Sequence, residues 1–320
     1  MPIPFVREIE FEYGRVDEVS PLIRRVIANN PGPFTYTGTG VYIVGRGEVA
    51  VIDPGPDLAE HFDALKAALA GERVTHVLVT HGHSDHAPLA RPLAEWAGCK
   101  TYAKHRGIQT SADEGGEGGA AFVPDVELSD GDIISGPGWT LETIETPGHT
   151  ASHICFALKE ESACFTGDHI MGWSTTVVSP PDGDMSAYME SLEKVRVREF
   201  STLWPTHGEA IRGTEFVNTF IAEYAAHRRA REAAILDQLR RGQTNIPEMV
   251  SVMYVDVDKR LHPAAAMSVL GHMIDLVRRG VVRITGQVSV GTPKSAAGLR
   301  DVAIPPHQRP THAGHREVHV

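Results

Sequence analysis

The sequence lacks the long apolar run that a membrane-spanning helix requires, although 42% of its 320 residues are hydrophobic. Cysteine is scarce too: Cys99, Cys155 and Cys164 make an odd number without paired spacing, which argues against a disulfide-stapled secreted scaffold. The first residues are partly acidic and contain no apolar core of a secretory signal. These absences predict a globular protein of the cytoplasm that has no membrane partner.

Positive charge is also in short supply, since the chain has 30 Lys and Arg against 41 Asp and Glu. The acidic excess lies in residues 1–222, whereas residues 223–285 are slightly basic. A broad electrostatic surface for nucleic acid is therefore not expected on the larger part of the chain. The pairs Arg228-Arg229, Arg240-Arg241 and Arg278-Arg279 are expected on solvated helix faces, with local phosphate contact as the alternative.

Histidine, by contrast, is abundant, and three of the 17 histidines fall within six residues. Residues 74–80 predict a buried strand that leads directly into the run from His81 to His86, and residues 87–98 predict the helix that follows. The cluster therefore belongs to a loop at the end of a strand, where a rigid sheet presents chemistry.

Further strand patterns end in polar loops in the same way. These loops contain three more candidate ligands, His149, Asp168 and His207. If the strands share sheets, their ends converge on the first cluster. Strands that alternate with helices over one large unit predict an α/β layered domain over residues 1–222.

The composition changes after residue 222. Residues 223–242, 246–254 and 262–280 each predict a helix, and residues 281–285 predict a strand. Three helices and a short strand indicate a small winged-helix-like domain over residues 223–285. Residues 286–320 are rich in Gly, Pro, Ala and His, and we expect a flexible tail that can bind metal only adventitiously.

The residue types of the first cluster indicate a metal site. His81, His83, Asp85 and His86 supply imidazole and carboxylate, the borderline ligands that zinc prefers. One local cluster cannot complete two coordination shells, so the remaining ligands must come from the other strand-end loops. The full candidate set is His81, His83, Asp85, His86, His149, Asp168 and His207.

These motifs, in this order, resemble those of the metallo-β-lactamase superfamily over roughly residues 20–222. The resemblance implies a four-layer αββα sandwich with two metals at one edge of two sheets. It assigns the first metal to His81, His83 and His149, the second to Asp85, His86 and His207, and the bridging position to Asp168. Residues 30–45, the motif around His149 and the C-terminal helices also resemble the beta-lactamase-like-protein-2 subgroup, some of whose members are endoribonucleases.

Other residues are assigned supporting roles. Asp53 matches an early motif aspartate of the superfamily, which usually holds the ligands from behind. His153, His169 and Tyr188 are candidates for the same kind of support or for substrate contact. For Tyr36, Thr175 and Thr176, ordinary packing is the favoured interpretation over lining of the cleft.

The predicted function is a binuclear metal-dependent hydrolase that uses a metal-bound hydroxide on an ester, thioester or lactam-type small molecule. Two zinc ions are the expected cofactors, although iron and manganese accept the same ligands. Asp85 is the expected catalytic proton carrier. The alternatives are a phosphodiesterase or endoribonuclease on single-stranded RNA, a mononuclear iron persulfide-type dioxygenase, and a DNA-binding regulator. The C-terminal domain is expected to shape substrate access or to form a homodimer contact.

Overall fold

The structure is a computed structural model that describes residues 3–105 and 122–284, together with the strand Val302–Ala303. The chain divides into two compact units, Met1–Arg229 and Ala230–Val320. The predicted boundary between residues 222 and 223 falls inside a helix, Thr214–Arg240, that runs without a break through the division after Arg229.

Within the described residues, the first sheet of the larger unit has seven strands in chain order. They are β1 (Val16–Glu18), β2 (Ile23–Ile27), β3 (Gly40–Arg46), β4 (Glu48–Ile52), β5 (Arg73–Leu78), β6 (Lys100–Ala103) and β7 (Val126–Glu127). The strands β1 to β4 pair antiparallel, and β4 to β7 pair parallel. The parallel half places the carboxyl ends of β4 and β5 side by side.

The second sheet contains the strands β8 (Ile133–Gly136), β9 (Trp139–Glu145), β10 (Ile154–Leu158), β11 (Ala163–Gly167), β12 (Thr202–Pro205) and β13 (Ile211–Arg212). Its order among the described residues is β13-β12-β11-β10-β9-β8. Only the β11–β12 pair in this sheet is parallel. The ends of β11 and β12 therefore also meet at one edge.

The helices of the larger unit are α1 (Ala59–Ala68), α2 (Ala90–Ala97), α3 (Met185–Arg196) and the first part of α4 (Thr214–Arg240). Asp184 caps α3, because its carboxylate accepts a hydrogen bond from the backbone N–H of Ala187. The helix α2 ends at Gly98, whose φ of 68° is a left-handed conformation that glycine adopts without strain.

Successive side chains along a strand point to opposite faces of the sheet, and both faces are buried. This alternation produces the layers. On β3, Tyr42 faces the second sheet and packs with Phe156 and Trp204, whereas Val41 faces the opposite way and packs with Leu65 of α1. A third cluster packs the outer face of the second sheet against α3 and α4. The order of layers is helix, sheet, sheet, helix, which confirms the predicted αββα sandwich.

The smaller unit contains the end of α4, the helices α5 (Ile246–Met253) and α6 (His262–Arg278), and the strands β14 (Arg283–Ile284) and β15 (Val302–Ala303). Its core includes Ile235, Met249, Val269 and Met273. The strand predicted at residues 281–285 is present, and it pairs with β15. The strand β15 falls within residues 286–320, for which a flexible tail was predicted, and corrects that prediction at Val302–Ala303. The rest of that tail lies outside the described residues. None of the described helices combines the length and the apolar character needed to cross a membrane.

Candidate metal centre

All seven predicted ligands lie at one edge of the larger unit. His81, His83, Asp85 and His86 occupy the loop that follows β5, and the strand ends of the second sheet supply His149, Asp168 and His207. Their side chains form two groups, and the ligand atoms within each group lie within 4.8 Å of one another. The first group contains His81, His83, His149 and Asp168. The second group contains Asp85, His86 and His207. The two sheets must therefore pack together before the centre exists.

The first group is a tight set of ring nitrogens. His83 Nδ1 lies 2.9 Å from His81 Nε2 and 3.1 Å from His149 Nε2. The second group combines nitrogen with oxygen: Asp85 Oδ2 lies 3.0 Å from His207 Nε2 and 3.4 Å from His86 Nε2.

Asp168 faces both groups with different oxygens. Its Oδ2 lies 3.7 Å from His149 Nε2, while its Oδ1 lies 3.5 Å from His86 Nε2 and 3.4 Å from His207 Nε2. A carboxylate in this position can coordinate one ion with each oxygen. The family resemblance implies a bridging role for Asp168, and the two oxygens are placed so that they could fill it.

The outward nitrogens of three histidines donate to fixed oxygens. His86 Nδ1 contacts Asp53 Oδ2 at 2.9 Å, His149 Nδ1 contacts the Val177 carbonyl at 2.7 Å, and His207 Nδ1 contacts the Gly38 carbonyl at 3.1 Å. Because a carbonyl or carboxylate oxygen can only accept, each Nδ1 must carry the proton. The lone pair of each Nε2 is thereby directed into the centre, which is the usual orientation of a metal-binding histidine.

The inner atoms fit a cation. His86 Nε2 and Asp168 Oδ1 are buried and have no hydrogen-bond partner among the described residues. Buried polar atoms without a partner are costly, and lone pairs that converge at about 3 Å repel one another unless a positive ion lies between them. Imidazole and carboxylate are donors that divalent zinc, iron and manganese accept. The donor set therefore suits divalent metal.

Burial and neighbouring charges shift the pKa values of the histidine and aspartate ligands. Burial and the adjacent imidazoles lower the pKa of His81 well below its usual value and the pKa of His83 to about 3. Burial alone would raise the pKa of Asp85 and Asp168, but the facing histidines, His86 and His207, outweigh it and hold both pKa values well below normal. Against the effect of burial, the facing carboxylates raise the pKa of His86 and of His207. Neutral imidazoles and ionised carboxylates are the forms that bind metal, so an ion that binds at the second group would displace a proton from it.

Asp53 lies behind the centre at the end of β4. It is fully buried, and its carboxylate accepts hydrogen bonds from Thr80 N and Thr80 Oγ1, each at 2.8 Å, and from Thr206 Oγ1 at 3.0 Å, besides the bond from His86. Thr80 follows β5, and Thr206 follows β12 of the second sheet. One carboxylate therefore ties three strand ends together behind His86.

The other predicted supporting residues are buried. His153 Nδ1 lies 2.8 Å from Thr146 Oγ1, and its Nε2 accepts from the backbone N–H of Asp168. Burial lowers the pKa of His169 to about 3, and this ring packs edge-on against Tyr188, whose hydroxyl donates to the His169 carbonyl at 2.8 Å. Tyr188 is fully buried and packs in the core between the second sheet and the helices.

The expectation of a solvated face is wrong for Arg228. This side chain is 3% exposed, donates to the Thr176 carbonyl, and lies over the ring of Tyr188. Thr176 Oγ1 in turn lies 3.1 Å from His149 Nδ1, so both residues belong to the support of the centre. The signal in the sequence was the apolar stripe of α4, which reaches Tyr224 and passes through position 228 one turn later.

Tyr36 packs against Trp173. Its ring stacks on Trp173 with a centroid distance of 4.7 Å, and its hydroxyl donates to the Arg7 carbonyl at 2.6 Å. Trp173 also approaches Gly208, where an added Cβ would lie 3.2 Å from the indole ring. The stacked pair therefore packs near Gly208, the residue that follows His207, and the contacts of Tyr36 are those of a packing residue.

Comparison with known proteins identifies the class. The sequence profile of the metallo-beta-lactamase superfamily matches residues 36–207, and that of the beta-lactamase associated winged helix domain matches residues 246–291. The chain belongs to the metallo-beta-lactamase superfamily and is a hydrolase of that fold with a C-terminal winged-helix domain. Divalent metals are the typical cofactors of this fold, and the two side-chain groups are where this chain can hold them.

Two curated proteins and one solved structure illustrate what this chain is similar to. The beta-lactamase-like protein 2 homolog of Caenorhabditis elegans is 32% identical over 83% of this chain and 88% of its own length. The atrochrysone carboxyl ACP thioesterase AgnL7 of Paecilomyces divaricatus is 30% identical over 76% of this chain and 73% of its own length. A beta-lactamase domain protein from Burkholderia ambifaria shares the fold, with a TM-score of 0.69, 21% identity, and coverage of 91% of this chain and 94% of that chain.

Proposed function

We propose that the protein is a binuclear zinc hydrolase that cleaves an acyl bond of a small molecule, with a thioester as the preferred substrate class. The observation that carries the binuclear proposal is the position of Asp168, whose two oxygens face separate ligand groups. Support for acyl chemistry comes from the similarity to a relative named as a thioesterase.

Zinc is proposed because five imidazoles and two carboxylates, all of which are zinc ligands, surround the centre. Iron or manganese would use the same donors, and the metal content of the purified protein distinguishes the three. When bound, two divalent ions would supply Lewis acidity that polarises a carbonyl oxygen and lowers the pKa of water.

The residues of the chain orient this chemistry. The hydrogen bonds to Asp53, Val177 and Gly38 fix the rings of His86, His149 and His207, so the lone pairs do not need to reorganise during a reaction. Asp85 has 22% of its side chain exposed, against 12% for Asp168. Asp85 is therefore the carboxylate that solvent reaches more readily. The facing histidines lower its pKa, but bound metal would lower the pKa of water as well, and we assign Asp85 the role of accepting a proton from that water.

The same centre would also suit a phosphodiester, and hydrolysis of single-stranded RNA is the alternative function. The net charge of -11 favours a small acyl substrate over a polyanion. Burial of Arg228 removes one of the basic side chains considered for phosphate contact. A small molecule is accordingly proposed as the partner of the catalytic unit.

The test measures metal content and a substrate panel on one preparation of the full chain. We expect two zinc ions per chain and hydrolysis of acyl-pantetheine thioesters that is lost in His81→Ala and after chelation. Because the tail contains His307, His312, His315 and His319, a variant with glutamine at these four positions is the control for adventitious metal.

The outcomes separate the two functions. Cleavage of single-stranded RNA that disappears in His81→Ala, without thioester, ester or lactam hydrolysis, would establish the alternative. A wild-type protein that binds at most one ion per chain, after correction with the tail variant, would refute the binuclear centre.

A further inference from the structure

His153 holds the main chain of Asp168 from within the core. The ring is fully buried, and its Nε2 lies 3.2 Å from the backbone N of Asp168. The other ring nitrogen, Nδ1, lies 2.8 Å from Thr146 Oγ1. The histidine thus links β9, through Thr146, to the residue that faces both ligand groups.

The backbone N–H of Asp168 decides which ring nitrogen of His153 carries the proton. A backbone N–H can only donate, so the Nε2 of His153 must present its lone pair to Asp168. The ring proton then sits on Nδ1 and points at Thr146 Oγ1, which leaves the threonine hydroxyl free to donate to Cys155 Sγ, 3.2 Å away. One tautomer satisfies every contact, so the ring is fixed in orientation.

Gly167 allows the close approach. Its φ is 51°, and a Cβ at this position would lie 2.7 Å from His153 Nε2 and 2.8 Å from Thr80 Oγ1. Any side chain there would push the histidine and the end of β11 apart. The sequence therefore brings the backbone just before Asp168 into direct contact with the ring.

We propose that His153 is a positioning residue for the carboxylate of Asp168. By accepting the Asp168 N–H, it fixes the orientation of the Cα–Cβ bond, and so directs Oδ1 and Oδ2 to separate ligand groups. This inference rests on the proposed binuclear function and adds to it the residue that keeps both oxygens in place.

His153 also packs against His81, with a ring centroid distance of 5.0 Å, so removal of the ring would disturb packing as well as the hydrogen bond. Three variants separate these effects. His153→Leu fills the space without an acceptor, His153→Gln offers an oxygen near the place of Nε2, and Thr146→Val keeps the ring but removes the acceptor for its Nδ1 proton.

The experiment measures zinc affinity of the full chain by competition with a chromophoric chelator, and the visible spectrum of the cobalt-substituted protein. We expect His153→Leu to bind zinc about 10- to 100-fold more weakly with an altered cobalt spectrum. His153→Gln should recover most of the affinity, and Thr146→Val should lie between it and the leucine variant. Thr143→Val is the matched control, because Thr143 lies three residues before Thr146, on β9, and its buried Oγ1 has no partner among the described residues.

Wild-type affinity and spectrum in His153→Leu would overturn the inference while leaving the binuclear function intact. Equal losses in His153→Gln and His153→Leu would assign the effect to packing and would also overturn it. If His153→Leu does not fold, Thr146→Val decides, since zinc affinity equal to that of Thr143→Val refutes the positioning role. A wild-type protein that binds no ion pair would instead refute the proposed function itself.

Discussion

Arg228, on α4, donates a hydrogen bond to the carbonyl oxygen of Thr176 inside the core. The neighbouring Val177 carbonyl accepts from His149 Nδ1, and Thr176 Oγ1 also contacts that nitrogen. The guanidinium therefore holds the segment that orients one proposed ligand. A helix that is not itself part of the centre controls the position of His149.

Replacing Arg228 should weaken both the fold and the first ligand group. In Arg228→Met the Thr176 carbonyl loses a buried charged donor, which should cost about 1–3 kcal/mol of unfolding free energy. Zinc affinity should fall along with it, because the support of His149 loosens. Denaturant unfolding and zinc competition measure the two effects. Arg229→Met, on the exposed neighbour, is the control, and similar behaviour of the two variants would contradict this account.

Asp53→Asn should weaken zinc binding, because Asp53 supports the metal centre, whereas a comparable variant elsewhere should lower only stability. An amide places an N–H₂ group among the donors Thr80, Thr206 and His86, so at least one hydrogen bond is lost. We expect zinc affinity to fall about 10- to 100-fold. The matched control is Asp125→Asn, whose carboxylate also accepts from a strand threonine but lies outside the two ligand groups. Asp125→Asn should lower stability and leave zinc affinity unchanged. The prediction fails if Asp53→Asn binds zinc as tightly as the wild type.

Gly148 should not tolerate a side chain. Its φ is 143°, and a Cβ there would lie 2.4 Å from Tyr188 Cα, so Gly148→Ala must displace α3 or the loop that carries His149. We expect a loss of more than about 2 kcal/mol in unfolding free energy, together with weaker zinc binding. Gly138 also has a positive φ, of 77°, but open space surrounds its Cβ, and Gly138→Ala should cost only about 1–2 kcal/mol. Equal stability of the two variants would show that the contact with Tyr188 is unimportant.

Stability should fall in mildly acidic solution partly because of His61. Burial lowers the pKa of this histidine to about 4, below the value of about 6.5 in an unfolded chain. The folded state therefore resists protonation, and stability that is complete above pH 6.5 is lost as the pH falls toward 4. Between pH 7.5 and 5 this amounts to about 2 kcal/mol.

The variant His61→Leu removes this titration. The difference in unfolding free energy between pH 7.5 and 5 should be smaller in the variant than in the wild type by roughly that amount. The proposed metal ligands are identical in the two proteins, so their own pH dependence cancels in the comparison. An unchanged pH dependence would show that folding does not lower the pKa of His61.

The local patterns of the sequence predicted the strand before His81, the loop, and the layered fold, because apolar alternation and metal-binding residue types are visible along the chain. The contacts of Asp53 were beyond such reasoning, since Thr206 joins it from another sheet and 153 positions away. The prediction for Arg228 is wrong because an arginine pair on a helix is usually solvated. Only the packing of α4 against Tyr188 reveals that this one is buried.

The proposed ligands come from both sheets: His81 and Asp85 follow β5, whereas His149, Asp168 and His207 follow strands of the other sheet. Bound ions would therefore act as a reversible cross-link between the two halves of the sandwich. At a free metal concentration 1,000 times the dissociation constant, this link adds about 4 kcal/mol to stability. A cell that runs short of metal would then hold a chain that opens more often and is degraded sooner, so the abundance of the protein would follow metal supply.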